Sequence, residues 1–217
     1  MTGLRASTPT AASTSEEREF VAELIVAQDE PVLEIGTGLC ACMAQALARR
    51  GFRVFTVDRD RAAALEANQV LAAAGLRGRT RVVVADASNL PFRRGSVRTA
   101  VAYSALHHAT DLEGAVRGIA SVLNERGRLI VSDWDEGANG VLDRLLQALE
   151  AWFEEVTVVP RGIRRVYVCE EPHRRSCDRV LHLGETESES IGHGKLRRQA
   201  RRAMGAGSRS ARTVHAP

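Results

Sequence analysis

Val32 to Cys40 reads VLEIGTGLC: four residues suited to a buried strand, a Gly-x-Gly turn, and then the small-residue run ACMAQALA, which starts a helix. A strand that feeds a glycine turn that feeds a helix makes a cofactor pocket. Glycine accepts positive φ without steric cost, and its missing Cβ lets a ligand reach the backbone. Gly36 and Gly38 are therefore the positions where a ligand can touch main chain. The following helix presents N–H groups and a partial positive charge, which suits a phosphate and a carboxylate alike.

Residues Gly36 to Ala41 also satisfy the permissive dinucleotide pattern G-x-G-x-x-G/A. A second strand-like run, Phe52 to Val57, ends at Asp58, 22 residues after Gly36. An acid at the tip of the second strand holds ribose hydroxyls in either cofactor class, so at this point both remain open.

The rest of the chain alternates two kinds of segment. Helical spacing covers Ala41 to Arg49, Arg61 to Ala74, Leu112 to Leu123 and Val141 to Phe153, with Gly51 and Gly75 as stops. β-branched runs occupy Arg81 to Ala85, Thr99 to Tyr103 and Arg128 to Ser132. Such βαβα order predicts an α/β fold, Rossmann-like and doubly wound, with a mostly parallel sheet covered by helices on both faces. The pattern breaks after Phe153, where EEVTVVP, Arg161-Gly162 and IRRVYVCEE predict an antiparallel hairpin. A dinucleotide domain would continue with a parallel sixth strand, so the hairpin argues against a dehydrogenase.

With 217 residues and 44% hydrophobic content, one domain with a substantial core is expected. Order is expected from residue 14, with Ser13-x-x-Glu16 and Thr14-x-x-Glu17 as capping-box candidates before Phe20, Val21, Leu24 and Ile25. The organisation read here is an unstructured 1–13, a domain over 14–172 and an unstructured basic tail over 173–217. The net charge of +3 is unevenly placed, since Gly184 to Pro217 holds seven Lys or Arg against three Glu, a surplus of +4. That tail lacks aromatics and apolar bulk, so disorder is its expected state, with weak nucleic-acid contact as its alternative use. No run of about 18 apolar residues and no signal-peptide core occurs, so a cytoplasmic chain without membrane contact is expected. Cys40, Cys42, Cys169 and Cys177 match no zinc spacing, and neither a metal nor a disulfide framework is expected.

Several segments together resemble the class I S-adenosylmethionine-dependent methyltransferases, most closely the small type 11 group, from about Pro31 to Glu171. VLEIGTG looks like that family's first motif, VDRD like the second, VVVADASNLPF like the third, and VAYSALHHATD like the fourth with its Leu-His-His triplet. SVLNERGRLIVSDW is similar to the approach to the fifth strand. The resemblance implies a seven-stranded sheet closed by the C-terminal hairpin, and S-adenosyl-L-methionine as cofactor. It implies that Glu34, Gly36, Thr37 and Gly38 wrap the methionine part and that Asp58, with Arg59 beside it, takes the ribose hydroxyls. Asp86 and Ala87 would stand near the adenine, and Tyr103 would meet the methionine end. This chain departs from the family at Cys40, where a third glycine is frequent, and at Arg98, where an Asp is common.

His107 is the candidate catalytic base, because an imidazole near neutral pKa can take a proton as a methyl group arrives. His108 and a purely loop-orienting role for the pair are the alternatives. Trp134 and Asp133 close the fifth strand and are candidates for shaping an acceptor pocket. Tyr103-Ser104-Ala105-Leu106 stands where enzymes acting on exocyclic base amines often carry Asn/Asp-Pro-Pro-Tyr/Phe, which lowers a DNA target. A methyltransferase acting on a small molecule is the expected function. An RNA or protein methyltransferase recruiting its polymer through the tail, and a catalytically silent cofactor-binding regulator, are the alternatives.

Overall fold

The computed structural model describes residues 11–25, 31–134, 141–161, 164–173 and 212–213. Helix α1 (Ala11–Glu23) leads into β1 (Val32–Ile35), α2 (Cys42–Arg49), β2 (Val54–Asp58), α3 (Arg61–Ala73) and β3 (Thr80–Val84). Then come β4 (Val97–Tyr103), a 3-10 turn (Leu106–His108), α4 (Leu112–Val122), β5 (Leu123–Trp134) and α5 (Val141–Trp152). The hairpin strands β6 (Phe153–Arg161) and β7 (Arg164–Pro172) follow, and the two-residue β8 (Arg212–Thr213) adds to the edge of β6.

The sheet order is β3-β2-β1-β4-β5-β7-β6-β8. Strands β1 to β5 are mutually parallel, while β7 runs antiparallel to both β5 and β6. The seven-stranded, mostly parallel sheet with its antiparallel C-terminal hairpin is as expected, and β8 is an addition to it. The chain reverses direction across the sheet between β1 and β4, which leaves a crevice at the carboxyl ends of these strands.

Period-2 alternation assigns each strand residue to one of two cores. Val32, Val54, Val101, Ile130 and Val166 pack with residues of α1, α2 and α3, including Val21, Leu47 and Leu71. Leu33, Ala100, Ala102, Leu129, Val131 and Tyr167 pack with α4 and α5 through Val116, Ile119, Leu145 and Leu149. Met43 and Phe92 behave as packing residues, Met43 buried under α2 and Phe92 edge-on to Phe55 at 5.5 Å.

Several boundaries differ from those read in the sequence. Helix α1 begins at Ala11, so Ser13 and Thr14 lie in its first turn instead of capping it, because Ala11 and Ala12 are strong helix formers. Ala41 takes a left-handed φ of 46° and precedes α2, which starts at Cys42. The expected unstructured stretches, 1–13 and 173–217, lie outside the described residues except for Ala11–Ser13, His173 and Arg212–Thr213. No helix among the described residues is long and apolar enough to cross a membrane.

Candidate functional site

A cavity of about 330 Å³ opens at the carboxyl ends of β1, β2 and β4. Gly36, Gly38, Asp58, Arg59, Asp86 and Ala87 line it, joined by Ser88, Ser104, Leu106, His108, Thr110 and Asp111. A larger cavity of about 610 Å³ lies at the opposite end of β4 and β5, among Arg94, Arg98, Asn124, Arg126 and His173. None of the residues expected to hold the cofactor reaches it, so the smaller cavity is the candidate site.

The turn after β1 is built for close approach. Gly36 has φ +83°, and a Cβ on it would stand 2.4 Å from the Ala105 Cβ, so both backbone conformation and packing require glycine. The Gly38 N–H donates to Asp58 Oδ2 at 2.8 Å, and the Asp60 N–H donates to Asp58 Oδ1 at 2.9 Å. Asp58 thus ties the glycine turn to the start of α3, whose N-cap is Asp60, accepting from the Ala62 and Ala63 N–H groups. Asp86 forms its own tight turn, its Oδ1 accepting from the Ser88 N–H at 2.8 Å and the Ser88 hydroxyl at 2.7 Å, and these bonds hold its carboxyl below the ordinary range. Arg59 reaches across the cavity to donate to Thr110 Oγ1 at 2.9 Å.

Glu34 lies beneath the turn, 1% exposed, with Oε2 lacking a hydrogen-bond partner among the described residues. Burial pushes its carboxyl up to about 8 from 4.5; hydrogen bonds from Thr56 and the Ala44 N–H oppose that rise, and the nearby Asp58 charge adds to it. Thr37 is also buried, with its hydroxyl 2.5 Å from that of Thr56.

Between Leu106 and His108, His107 Nδ1 stands 2.5 Å from Asp133 Oδ1, and the His107 N–H donates to Asp133 Oδ2 at 3.2 Å. Asp133 is 0% exposed and also accepts from the Trp134 N–H at 3.0 Å. The buried acceptor makes Nδ1–H the donor and Nε2 the basic nitrogen. The His108 ring stacks at 3.8 Å from that of His107.

A polar seam continues from there towards α1. Arg164 Nη1 donates to Ser132 Oγ at 3.3 Å and Nη2 donates to the Ser104 hydroxyl, while its guanidinium lies over the rings of Trp134 and Tyr103 at 4.0 and 4.5 Å. Ser132 donates to Glu17 of α1 at 3.1 Å, and Arg161 meets the other Glu17 oxygen at 3.4 Å.

Residues 33–131 match the family model for the methyltransferase domain. Over these residues the chain is similar to a methyltransferase domain. Among solved structures, the 4+2 cyclase SpnF is similar with a TM-score of 0.59 and 22% identity over 73% of this chain and 63% of that one. The YcgJ protein from Bacillus subtilis gives a TM-score of 0.52 and 25% identity over 62% of this chain and 58% of that one. Geranyl diphosphate C-methyltransferase from Streptomyces coelicolor A3(2), crystallised with Mg2+, geranyl diphosphate and S-adenosyl-L-homocysteine, gives 0.57 and 16% over 73% and 77%. The chain thus spans less than two thirds of the length of SpnF and of YcgJ.

A methyltransferase domain implies S-adenosyl-L-methionine, and the residues present fit such a group. The cavity has acids at two successive strand ends, an apolar wall of Ile35, Val57 and Ala105, and a glycine whose Cβ position is already filled. Of the residues expected to hold the cofactor, Gly36, Gly38, Asp58, Arg59, Asp86 and Ala87 line the cavity. Glu34, Thr37 and Tyr103 do not. Glu34 and Tyr103 fall on the strand face that carries Val32 and Val101, so Glu34 turns under α2 and the Tyr103 hydroxyl donates to Thr14 O at 3.2 Å. Of the histidine pair, His108 lines the cavity, whereas His107 is drawn to the end of β5 by Asp133.

Ser104, Arg164 and the pairing of His107 with Asp133 escaped the sequence reading. One signal was available: Arg164 alternates with Val166 along β7, which puts a cation on a face that is otherwise core.

Proposed function

We propose that this chain transfers the methyl group of S-adenosyl-L-methionine to a nucleophilic atom of a small-molecule acceptor, with His107 as the proton-accepting base. The observation that carries this reading is the His107–Asp133 pair, with His107 between two residues, Leu106 and His108, that line the cavity of the glycine turn, Asp58 and Asp86. In this reading Gly36 and Gly38 admit the methionine part to the backbone, with Glu34 and Thr37 bracing the turn from beneath. Asp58 accepts the ribose hydroxyls, Arg59 flanks them, Asp86 and Ala87 border the adenine, and Tyr103 forms the wall towards α1.

When bound, the cofactor supplies a sulfonium methyl group open to in-line attack. The protein's task is alignment, which in well-oriented reactions supplies about 7–11 kcal/mol of the barrier. Asp133 holds the imidazole in one tautomer and favours the imidazolium as His107 Nε2 takes the acceptor's proton. Ser104 and Leu106, between the two halves of the site, keep the acceptor next to the cofactor cavity.

The test is calorimetric titration of the purified chain with S-adenosylmethionine, S-adenosylhomocysteine and NAD, followed by a labelled-methyl assay on metabolite extracts. Binding of the first two without NAD, and label in a small molecule that is lost in His107→Ala, is the expected result. Failure to bind either adenosyl compound overturns the reading.

A further inference from the structure

Arg164 is 4% exposed and carries no ion pair among the described residues. Its Nε–H has no hydrogen-bond partner among the described residues, although both of its Nη atoms donate to serine hydroxyls. A buried, uncompensated cation is costly, and the faces of Trp134 and Tyr103 offset only part of that cost. The two nearest acids are committed elsewhere. Glu17 is shared between Ser132 and Arg161, and Asp133 is held by His107 and by two backbone N–H groups. Glu17, Asp133 and Arg18 all act on Arg164, and Arg161 shares Glu17, so two acids face three guanidinium groups.

The position of this cation is as telling as its charge. Ser104, which accepts from Arg164, also lines the cofactor cavity, and Trp134, which covers Arg164, directly follows the base-orienting Asp133. A planar guanidinium with unused donors matches the paired oxygens of a carboxylate or phosphate. Resting on the methyl-transfer reading above, we propose that Arg164 anchors a carboxylate or phosphate group of the acceptor, so that the substrate class is an anionic small molecule. Held there, the acceptor presents its neighbouring atoms to His107 on one side and to the cavity on the other.

Trp134 reports on this site directly, because the chain has 2 tryptophans and Trp152→Phe leaves Trp134 alone. In that background, with saturating S-adenosylhomocysteine, emission is followed while chloride is replaced by phosphate or by acetate at constant ionic strength. A saturable change with at least one of these anions is expected, lost in Arg164→Gln and weakened at least five-fold in Arg164→Lys, which keeps the charge but not the fork. Affinity for S-adenosylhomocysteine, measured by calorimetry, is expected to stay within three-fold in both variants.

An anion response that is absent, or unchanged in both variants, overturns the proposal. If Arg164→Gln weakens S-adenosylhomocysteine ten-fold or more and the anions compete with it, the guanidinium holds the cofactor's own carboxylate and the acceptor assignment falls. Should Arg164→Gln fail to fold by circular dichroism, the Arg164→Lys comparison decides alone. If the unaltered chain binds neither adenosyl compound, the methyl-transfer reading fails separately, and the same titration without cofactor still tells whether Arg164 binds an anion.

Discussion

Glu34→Gln is expected to stabilise the cofactor-free protein at neutral and alkaline pH. The Glu34 carboxyl is buried and pushed up to about 8, against 4.5 when exposed. A carboxyl raised by folding contributes its full favourable state only below the exposed value, and that contribution is lost as pH climbs through the folded value. At about 1.4 kcal/mol per pH unit, the span from 4.5 to about 8 makes the ionisation of Glu34 cost up to about 5 kcal/mol of stability at high pH. Glutamine keeps the shape and cannot ionise. It also places an amide where Oε2 has no partner, a pH-independent penalty of about 1–3 kcal/mol. The diagnostic quantity is therefore the slope and not the offset: the stability of Glu34→Gln relative to the native sequence should rise by about 3.5 kcal/mol between pH 5 and pH 8. Urea denaturation followed by far-ultraviolet circular dichroism at four pH values across that window measures it. Parallel stability curves for the two proteins would refute a buried, neutral Glu34.

Asp58→Asn removes the charge from the strand-tip acid and is expected to raise the Kd for S-adenosylhomocysteine about 10–100-fold, in line with about 1.5–3 kcal/mol for hydrogen bonds to charged groups; a change below three-fold in calorimetry would exclude it from the ribose subsite. Asp133→Asn should leave that Kd within three-fold while shifting the His107 ring 15N resonances away from the Nδ1–H tautomer and lowering turnover about 10²–10⁴-fold. Unmoved resonances would remove Asp133 from any orienting role. Gly118→Ala places a Cβ 2.1 Å from Ala87 O and 2.9 Å from Ser88 Cα, backbone atoms beside the cavity that cannot swing aside. It should cost about 1–3 kcal/mol in urea denaturation and weaken S-adenosylhomocysteine as well, and unaltered values for both would show that α4 does not hold that loop.

The parts of this protein legible in its sequence are those whose determinants are contiguous. The glycine turn, the acids at the ends of β2 and β3 and the hairpin each sit within a few residues of the element that positions them, so local spacing reveals them. Strand limits were less legible where tertiary pairing extends an element: β5 begins at Leu123 because it pairs with Val97, and the intervening Asn124–Gly127 turn is tight enough that a Cβ on Gly127 would meet Asn124 O at 2.7 Å. The direction of Tyr103 is not legible for a related reason. A residue at a strand end can serve either face, and only the presence of α1 beside Thr14 O decides which one. His107 was legible as a candidate, but Asp133 lies 26 residues away and Arg164 lies 60 residues from Ser104, distances at which pairing depends on the sheet order β4-β5-β7.

The hydrogen bonds of Asp58 explain why the turn can be firm before any ligand arrives. A carboxylate offers about four lone-pair sites, two on each oxygen. Asp58 spends one site of Oδ2 on the Gly38 N–H and one of Oδ1 on the Asp60 N–H, which locks the glycine turn against the start of α3. One site then remains on each oxygen, and two adjacent ribose hydroxyls ask for two acceptors side by side. On the proposed reading the same acid therefore shapes the pocket and receives the sugar, with no need to exchange one role for the other. An alanine here would lose both at once, whereas asparagine retains one acceptor oxygen, so the turn should loosen in Asp58→Ala more than in Asp58→Asn. Amide hydrogen exchange at Gly38 separates the two, and equal protection in both variants would show that the turn is held by its glycines alone.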